Sequence, residues 1–275
     1  MINVLRRKLS FAIRSWQHGG YPSHFVTNRP APQSAVDIFK GEWGAKIPLE
    51  GVVSGNSPLF EDDRVLRLIH GESVEGLDVL ELGPLEGAHS CMLERMGARS
   101  VCAVEANSRA YLKCLVTKEI MGLKRTSFLL GDVYGHLQAS VDNYDILLAI
   151  GIVYHLRDPQ KLFELAGPRV KPGGRLLLWT HYWSPAVAEF PALQGRFSTQ
   201  RAVSLPDGTS TTLHRHEYGA SIFAKGFFGG NSSYSEWMTR EGLINAAAAS
   251  GFRIELDEDL EHNHGPSILA SFRKI

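Results

Sequence analysis

Three acidic residues stand at the ends of short apolar runs: Glu81 within "VLELG", Glu105 closing "SVCAVE" and Asp132 after "TSFLLG". A carboxylate fixed at a strand end accepts hydrogen bonds from hydroxyl, amino or ammonium groups, so a row of three suits a ligand rich in such donors. Two histidines follow, His155 in "GIVYHLRDP" and His181 in "WTHYW". Imidazole is the side chain whose ordinary pKa lets it take a proton near neutrality. A further grouping, "LHRHEYG", sets His214 and His216 two residues apart, on one face if that segment is a strand. Two histidines can begin a metal site, but no third ligand is identifiable at a matching spacing, and no metal is expected.

The turn "ELGPLEG" narrows the ligand. A dinucleotide loop needs a glycine where Leu85 stands, and a P-loop needs Gly-Lys-Ser/Thr where Ala88, His89 and Ser90 stand. Both phosphate readings fall. A ligand with a ribose, an adenine and an amino-acid tail but no phosphate fits better, and S-adenosylmethionine has that anatomy. Gly83 and Gly87 then give close approach at the two ends of the turn, and Glu81 engages the tail ammonium. Glu105, 22 residues beyond Gly83, accepts from the ribose hydroxyls, and Asp132 accepts from the adenine amino group. Pro84, Ala106, Val133 and Ile150 are the adjoining walls of the expected cofactor site.

The elements that must position these residues alternate. Ser57 and Pro58 can start a helix stopped by Gly71; strands are expected at "LDVLEL", "SVCAVE", "TSFLLGD", "YDILLAIG" and in the run after "KPGG". Helices are expected through "HSCMLERM" to Gly97, through "SRAYLKCLVTKEIM" to Gly122, and from Asp158-Pro159. In the second of these, Leu112, Leu115, Val116, Glu119 and Ile120 form the stripe expected to pack on the sheet. The strands are continuous apolar runs, as in a sheet covered on both faces. "KPGG" reads as a stop and turn, residues 181–237 lose regularity, and a helix from Thr239 precedes two strands joined by "LEHNHGP" as an antiparallel hairpin. The expected class is therefore α/β, a doubly wound, mostly parallel sheet with an antiparallel hairpin at its end.

Over residues 57–275 the chain resembles the class I S-adenosylmethionine-dependent methyltransferases, on "ELGPLEG", Glu105, Gly131-Asp132, "YDILLAIGIVYHLRDP" and "KPGG". The resemblance implies a Rossmann-like sheet of seven strands; Leu85 departs from the family's usual middle glycine. "GIVYHLRDP" and "SEWMTREGLINAAAASGF" together resemble the branch that contains the tRNA wobble-uridine carboxymethyltransferase and related small-molecule methyltransferases. The Asn/Asp-Pro-Pro-Tyr tetrad of many amino-group and nucleobase methyltransferases is replaced by "GIVY", which tilts the acceptor atom toward oxygen.

Residues 1–56 read as an N-terminal extension or lid and 57–275 as the catalytic domain, with 181–237 a substrate-capping insertion. In the site so framed His155 and His181 are the candidate bases. Trp43 (with Phe39 in "IFKGEW"), Tyr154, Tyr182, His214 and His216 are the candidate substrate contacts. The chain carries 29 basic and 29 acidic residues, a balance that gives no footprint for phosphate backbones and disfavours nucleic acid. Cys91, Cys102 and Cys114 show no metal or disulfide spacing and read as reduced thiols. The basic start at Arg6, Arg7 and Lys8 lacks a signal-peptide core, and no run is long enough to span a membrane, so a cytoplasmic enzyme is expected. A small metabolite or sugar-containing molecule is the expected acceptor, with a homodimer left open. An RNA-modifying enzyme and a non-catalytic cofactor binder are the alternatives.

Overall fold

The computed structural model describes residues 25–223 and 229–275; the basic start at Arg6, Arg7 and Lys8 lies outside them. The chain order is α1 (Pro32–Val36), α2 (Asp63–Ile69), β1 (Asp78–Leu82), α3 (Ala88–Arg95), β2 (Ser100–Glu105), α4 (Ser108–Met121), β3 (Thr126–Leu130) and α5 (Val133–Ala139). It continues with β4 (Tyr144–Ile150), α6 (Pro159–Ala166), β5 (Val170–His181), β6 (Phe197–Ser204), β7 (Ser210–Glu217), β8 (Tyr234–Met238), α7 (Arg240–Ala249), β9 (Phe252–Leu260) and β10 (Ser267–Lys274).

Seven strands form one sheet in the order β3-β2-β1-β4-β5-β10-β9. The first five are parallel; β10 runs antiparallel to β5 and to β9, so the hairpin is seated with its second strand inside and its first at the edge. The order reverses between β1 and β4, and the crevice at the carboxyl ends beside such a switch is where ligands bind in open α/β sheets. One face of the sheet packs on Leu137, Phe163 and Leu243 of α5, α6 and α7, the other on Leu68 and Leu93 of α2 and α3. This double cover explains why β1, β4 and the inner part of β5 are buried along their length.

Several local expectations are corrected. α2 starts at Asp63, because Asp62 is the residue whose side chain accepts from the Arg64 amide; residues 59–61 form only a 3₁₀ turn. The α4 bounds hold, but its buried face is Ala110, Lys113, Cys114 and Thr117, while Leu112 and Leu115 are exposed. Small residues and one paired lysine let α4 lie close to its neighbours; of the expected stripe, Val116 and Ile120 pack half-buried against the Trp43 and Phe39 cluster rather than on the sheet. "KPGG" is a bulge inside β5: Tyr144 pairs with Val170 and Ile146 with Arg175, so four residues are looped out against one.

Residues 181–223 and 229–237 are also more ordered than their composition suggests. They hold β6, β7 and β8, a separate antiparallel sheet in that order, with Leu213 and Met238 packed into the main core. Strands β6 and β7 are joined through "LPDGTS", where Asp207 Oδ1 accepts from the Thr209 amide at 2.9 Å. Asp-Gly is a strong hairpin signal within a polar stretch.

Candidate active site

The turn between β1 and α3 sets three alternate residues in the left-handed region. Gly83 and Gly87 have φ of 71° and 78°, and Leu85 adopts the same left-handed region at 56°. A Cβ on Gly87 would lie 2.9 Å from Phe128 Cζ, which closes that position to any side chain. Leu85 therefore keeps a glycine's backbone without being glycine, at a strain cost of about 1–2 kcal/mol. Its amide donates to Glu105 Oε2 at 3.0 Å, and the Asn107 amide donates to Oε1 at 2.8 Å, which fixes the Glu105 carboxylate at the mouth of the crevice. Burial pushes the Glu105 pKa up, against those two amides.

Glu86 has a different task. Its carboxylate accepts from the amides of Gly44 and Ala45 at 3.0 and 2.8 Å and from Lys113 Nζ at 2.5 Å, and it is buried. Lys113 in turn donates to the Glu42 carbonyl at 2.9 Å. The loop is thus fastened to the segment before the main domain.

Glu81 is consumed within the protein. It accepts from Ser90 Oγ and lies 3.6 Å from His89 Nδ1, while His89 Nε2 is 2.9 Å from Asp62 Oδ2. Burial opposes charge on His89, but hydrogen bonds to Asp62 and Glu81 outweigh it and raise its pKa. Asp62 is held low in spite of burial by His89 and Arg64. Arg64 and His89 both line this end of the crevice, each paired with a carboxylate, and the Arg64 guanidinium lies 4.3 Å over the Trp179 ring.

The crevice itself is a cavity of about 880 Å³. Gly83, Pro84, Glu105, Ala106, Asp132, Val133 and Ile150, all expected from sequence, line it; Glu81 and Gly87 do not. Asp132 caps α5 through Oδ2, which accepts from the Gly135 amide at 2.9 Å, and its other oxygen is left for a ligand. The volume, the fixed Glu105 carboxylate, the open Asp132 oxygen and the Arg64 guanidinium fit the ribose, the adenine amino group and the tail carboxylate of S-adenosylmethionine.

A second cavity, about 260 Å³, adjoins the first through Tyr154 and His155, which line both. His181, His216, Tyr218, Trp237, His262 and His264 also line it. Tyr154 is the hub: its ring centroid is 4.1 Å from that of His155 and 4.8 Å from that of His181. His181 stacks on Trp237 at 5.4 Å with planes 11° apart. His155 Nδ1 is 2.8 Å from the Tyr218 hydroxyl, and His181 Nδ1 is 3.1 Å from the Pro266 carbonyl. Burial drives His155 down to about 3 and His181 to about 4, so both are neutral at physiological pH. His216 is likewise pushed down to about 4 by burial.

Three expected substrate contacts lie elsewhere. Trp43 donates to the Val36 carbonyl at 2.9 Å and packs beside Phe39 in a core cluster, so neither aromatic forms a lid over the crevice. Tyr182 donates to Asp259 Oδ1 at 3.2 Å, outside both cavities. His214 does share a strand with His216, but it stacks on Trp183 at 3.5 Å and stays out of the cavity. Among the described residues no group of three His, Cys, Asp or Glu side chains is arranged to hold a metal.

Residues that sequence reasoning missed include Arg64, His89, Tyr218, Trp237, His262 and His264. A signal for the last two existed. They sit in the hairpin link "LEHNHGP", and the pairing of Ser267 with His181 brings that link to the end of β5.

Residues 80–178 match a family model described as a methyltransferase domain. With the 3-2-1-4-5 parallel core and the inserted antiparallel strand, this gives residues 80–178 a methyltransferase domain and the chain the Rossmann-like fold of the class I S-adenosylmethionine-dependent methyltransferases. At closer range, the chain is similar to the tRNA U34 carboxymethyltransferase of Saccharophagus degradans, 24% identical over 196 residues, covering 71% of this chain and 53% of that protein. The chain spans about half the length of that relative. Among solved structures it is similar to the N-terminal domain of EvdMO1, determined in the presence of SAH and D-fucose, with a TM-score of 0.66, 23% identity, and coverage of 93% of this chain and 100% of that one. An S-adenosylmethionine-dependent methyltransferase from Mesorhizobium loti follows at TM-score 0.56 and 16% identity, covering 78% of this chain and 100% of that one. Among the described residues no helix is long and apolar enough to cross a membrane.

Proposed function

We propose that this chain transfers a methyl group from S-adenosylmethionine to an oxygen of a small, sugar-containing acceptor held in the 260 Å³ cavity. The observation that carries the proposal is the shared wall: Tyr154 and His155 border both the cofactor crevice and the smaller chamber. An acceptor in the chamber would therefore meet the cofactor across these two residues, and alignment supplies most of the rate in an in-line displacement.

Bound S-adenosylmethionine supplies an electrophilic methyl group on a sulfonium. The protein's part is to hold and align. Glu105 accepts from the ribose hydroxyls, Asp132 from the adenine amino group, and the Arg64 guanidinium receives the tail carboxylate. Trp237 and Tyr154 offer flat apolar surfaces to the C–H face of a sugar ring, and the surrounding histidines offer polar contacts at its edge. The structure of the EvdMO1 N-terminal domain in the presence of SAH and D-fucose favours a sugar as the acceptor class to test.

The names of the curated relatives favour a second reading, a tRNA-modifying methyl- or carboxymethyltransferase. The equal count of 29 basic and 29 acidic residues speaks against it, because tRNA binding draws its affinity from phosphate neutralisation. Incubation with methyl-labelled cofactor and two acceptor sets, deoxysugars including D-fucose and bulk tRNA, separates them. Label on sugar and none on tRNA is expected; label on tRNA with salt-sensitive binding would replace the first reading by the second.

A further inference from the structure

Of the five histidines that line the second cavity, His155 and His181 have Nδ1 partners that differ in kind. His181 Nδ1 faces the Pro266 carbonyl at 3.1 Å. A carbonyl only accepts, so Nδ1 carries the hydrogen and Nε2 is left with its lone pair. His155 Nδ1 faces the Tyr218 hydroxyl at 2.8 Å. That phenol already accepts from the Gly230 amide at 3.2 Å. Of the two groups, the phenol is the better acid and the neutral imidazole nitrogen the better base, so the favoured bond is O–H···Nδ1. The hydrogen of His155 is then on Nε2.

We infer that Tyr218 and the Pro266 carbonyl lock His155 and His181 in opposite tautomers, making His181 Nε2 the proton acceptor of the second cavity and His155 Nε2–H a hydrogen-bond donor to the acceptor molecule. This rests on the proposed methyl transfer for its chemical meaning, though not for its structural content. Among the described residues, neither Nε2 has a hydrogen-bond partner of its own, and both side chains line the cavity. The groups around His181 come from four places: Tyr154 after β4, Trp179 on β5 itself, Trp237 on β8, and His262 and His264 in the hairpin link. None of them is a carboxylate that would hold His181 protonated before substrate arrives. Burial, which keeps both imidazoles neutral, agrees.

In the reaction, the acceptor oxygen forms its bond to the methyl carbon as the carbon–sulfur bond breaks, the electron pair staying on sulfur. The hydroxyl proton passes to His181 Nε2 and then to solvent. His155 forms no bond to a reacting proton; it holds a neighbouring oxygen and sets the approach. Tyr218 is a positioning residue, acting through His155.

The test does not depend on knowing the acceptor. Two-bond ¹H–¹⁵N correlation spectra of protein labelled with ¹⁵N-histidine, assigned through His155→Gln and His181→Gln, read each tautomer directly. Protonated Nδ1 is expected for His181 and protonated Nε2 for His155. The Tyr218→Phe variant, checked for folding by its melting curve, should move His155 toward a tautomer mixture and leave His181 unchanged. The same tautomer at both residues, or an unmoved His155 in Tyr218→Phe, would overturn the assignment even if methyl transfer is confirmed. If methyl transfer is absent while the tautomers are opposite, the proposed function fails and the assignment stands. With a D-fucose-type acceptor, His181→Ala should lower kcat by about 100-fold or more. His155→Ala should chiefly raise KM, with His155→Gln, which retains an N–H donor, restoring it; the reverse pattern would exchange the two roles.

Discussion

Glu86 changes meaning between sequence and structure more than any other residue of the cofactor turn. In the string "ELGPLEG" it is a tolerated polar residue between two glycines; folded, it accepts two backbone amides and a buried ammonium from other parts of the chain. Nothing local announces such a role, because Gly44 and Lys113 lie 42 and 27 residues away. Glu105 and Asp132 were legible because their position follows from a repeating unit: each ends a parallel strand at the edge where ligands bind. Glu81 occupies an equivalent strand end, yet it serves His89 and Ser90 instead of the cavity, since α3 brings those side chains over it. Gly87 is fixed by a measurable constraint. Gly87→Ala would meet Phe128 and a φ of 78°, and should cost about 2 kcal/mol, seen as a lowered melting temperature with a normal far-ultraviolet spectrum.

Among elements, the parallel core was legible nearly strand by strand, since a sheet covered on both faces requires continuous apolar runs and short punctuated turns. The failures share a cause. α4 and the insertion are shaped by their partners: the one turns small residues and Lys113 inward, and the other folds as β6–β8 with Leu213 and Met238 set into the main core. Trp43 and Phe39 follow the same rule, serving the joint between residues 32–60 and the sheet domain. That joint depends on the Glu86–Lys113 pair. Removing one partner of a buried pair typically costs about 3–5 kcal/mol, so Glu86→Ala should shift the urea midpoint strongly downward. It should also expose residues 42–45 to proteolysis. An unchanged midpoint would mean that the segment is held by its apolar contacts alone.

For the whole molecule, buried histidines of opposite kind set the pH range of stability. His155, His181 and His216 are neutral when folded, with values of about 3, 4 and 4, against an ordinary 6.5. The unfolded chain therefore binds more protons on acidification, and their contribution, present above pH 6.5, is lost as pH falls toward 4. His89 has the reverse sign: raised to about 9 by Asp62 and Glu81 against burial, it stabilises fully below 6.5 and loses that contribution as pH rises through 9. Thermal melts across pH should peak between the two windows, and Tyr218→Phe should leave the alkaline limb in place. The most direct test of the account as a whole is calorimetric titration with S-adenosylhomocysteine. One site per chain is predicted, with Glu105→Ala weakening it by about 10-fold or more through loss of charge-assisted hydrogen bonds to the ribose. No binding to the unaltered protein, or equal affinity in Glu105→Ala, would contradict the assignment of the crevice.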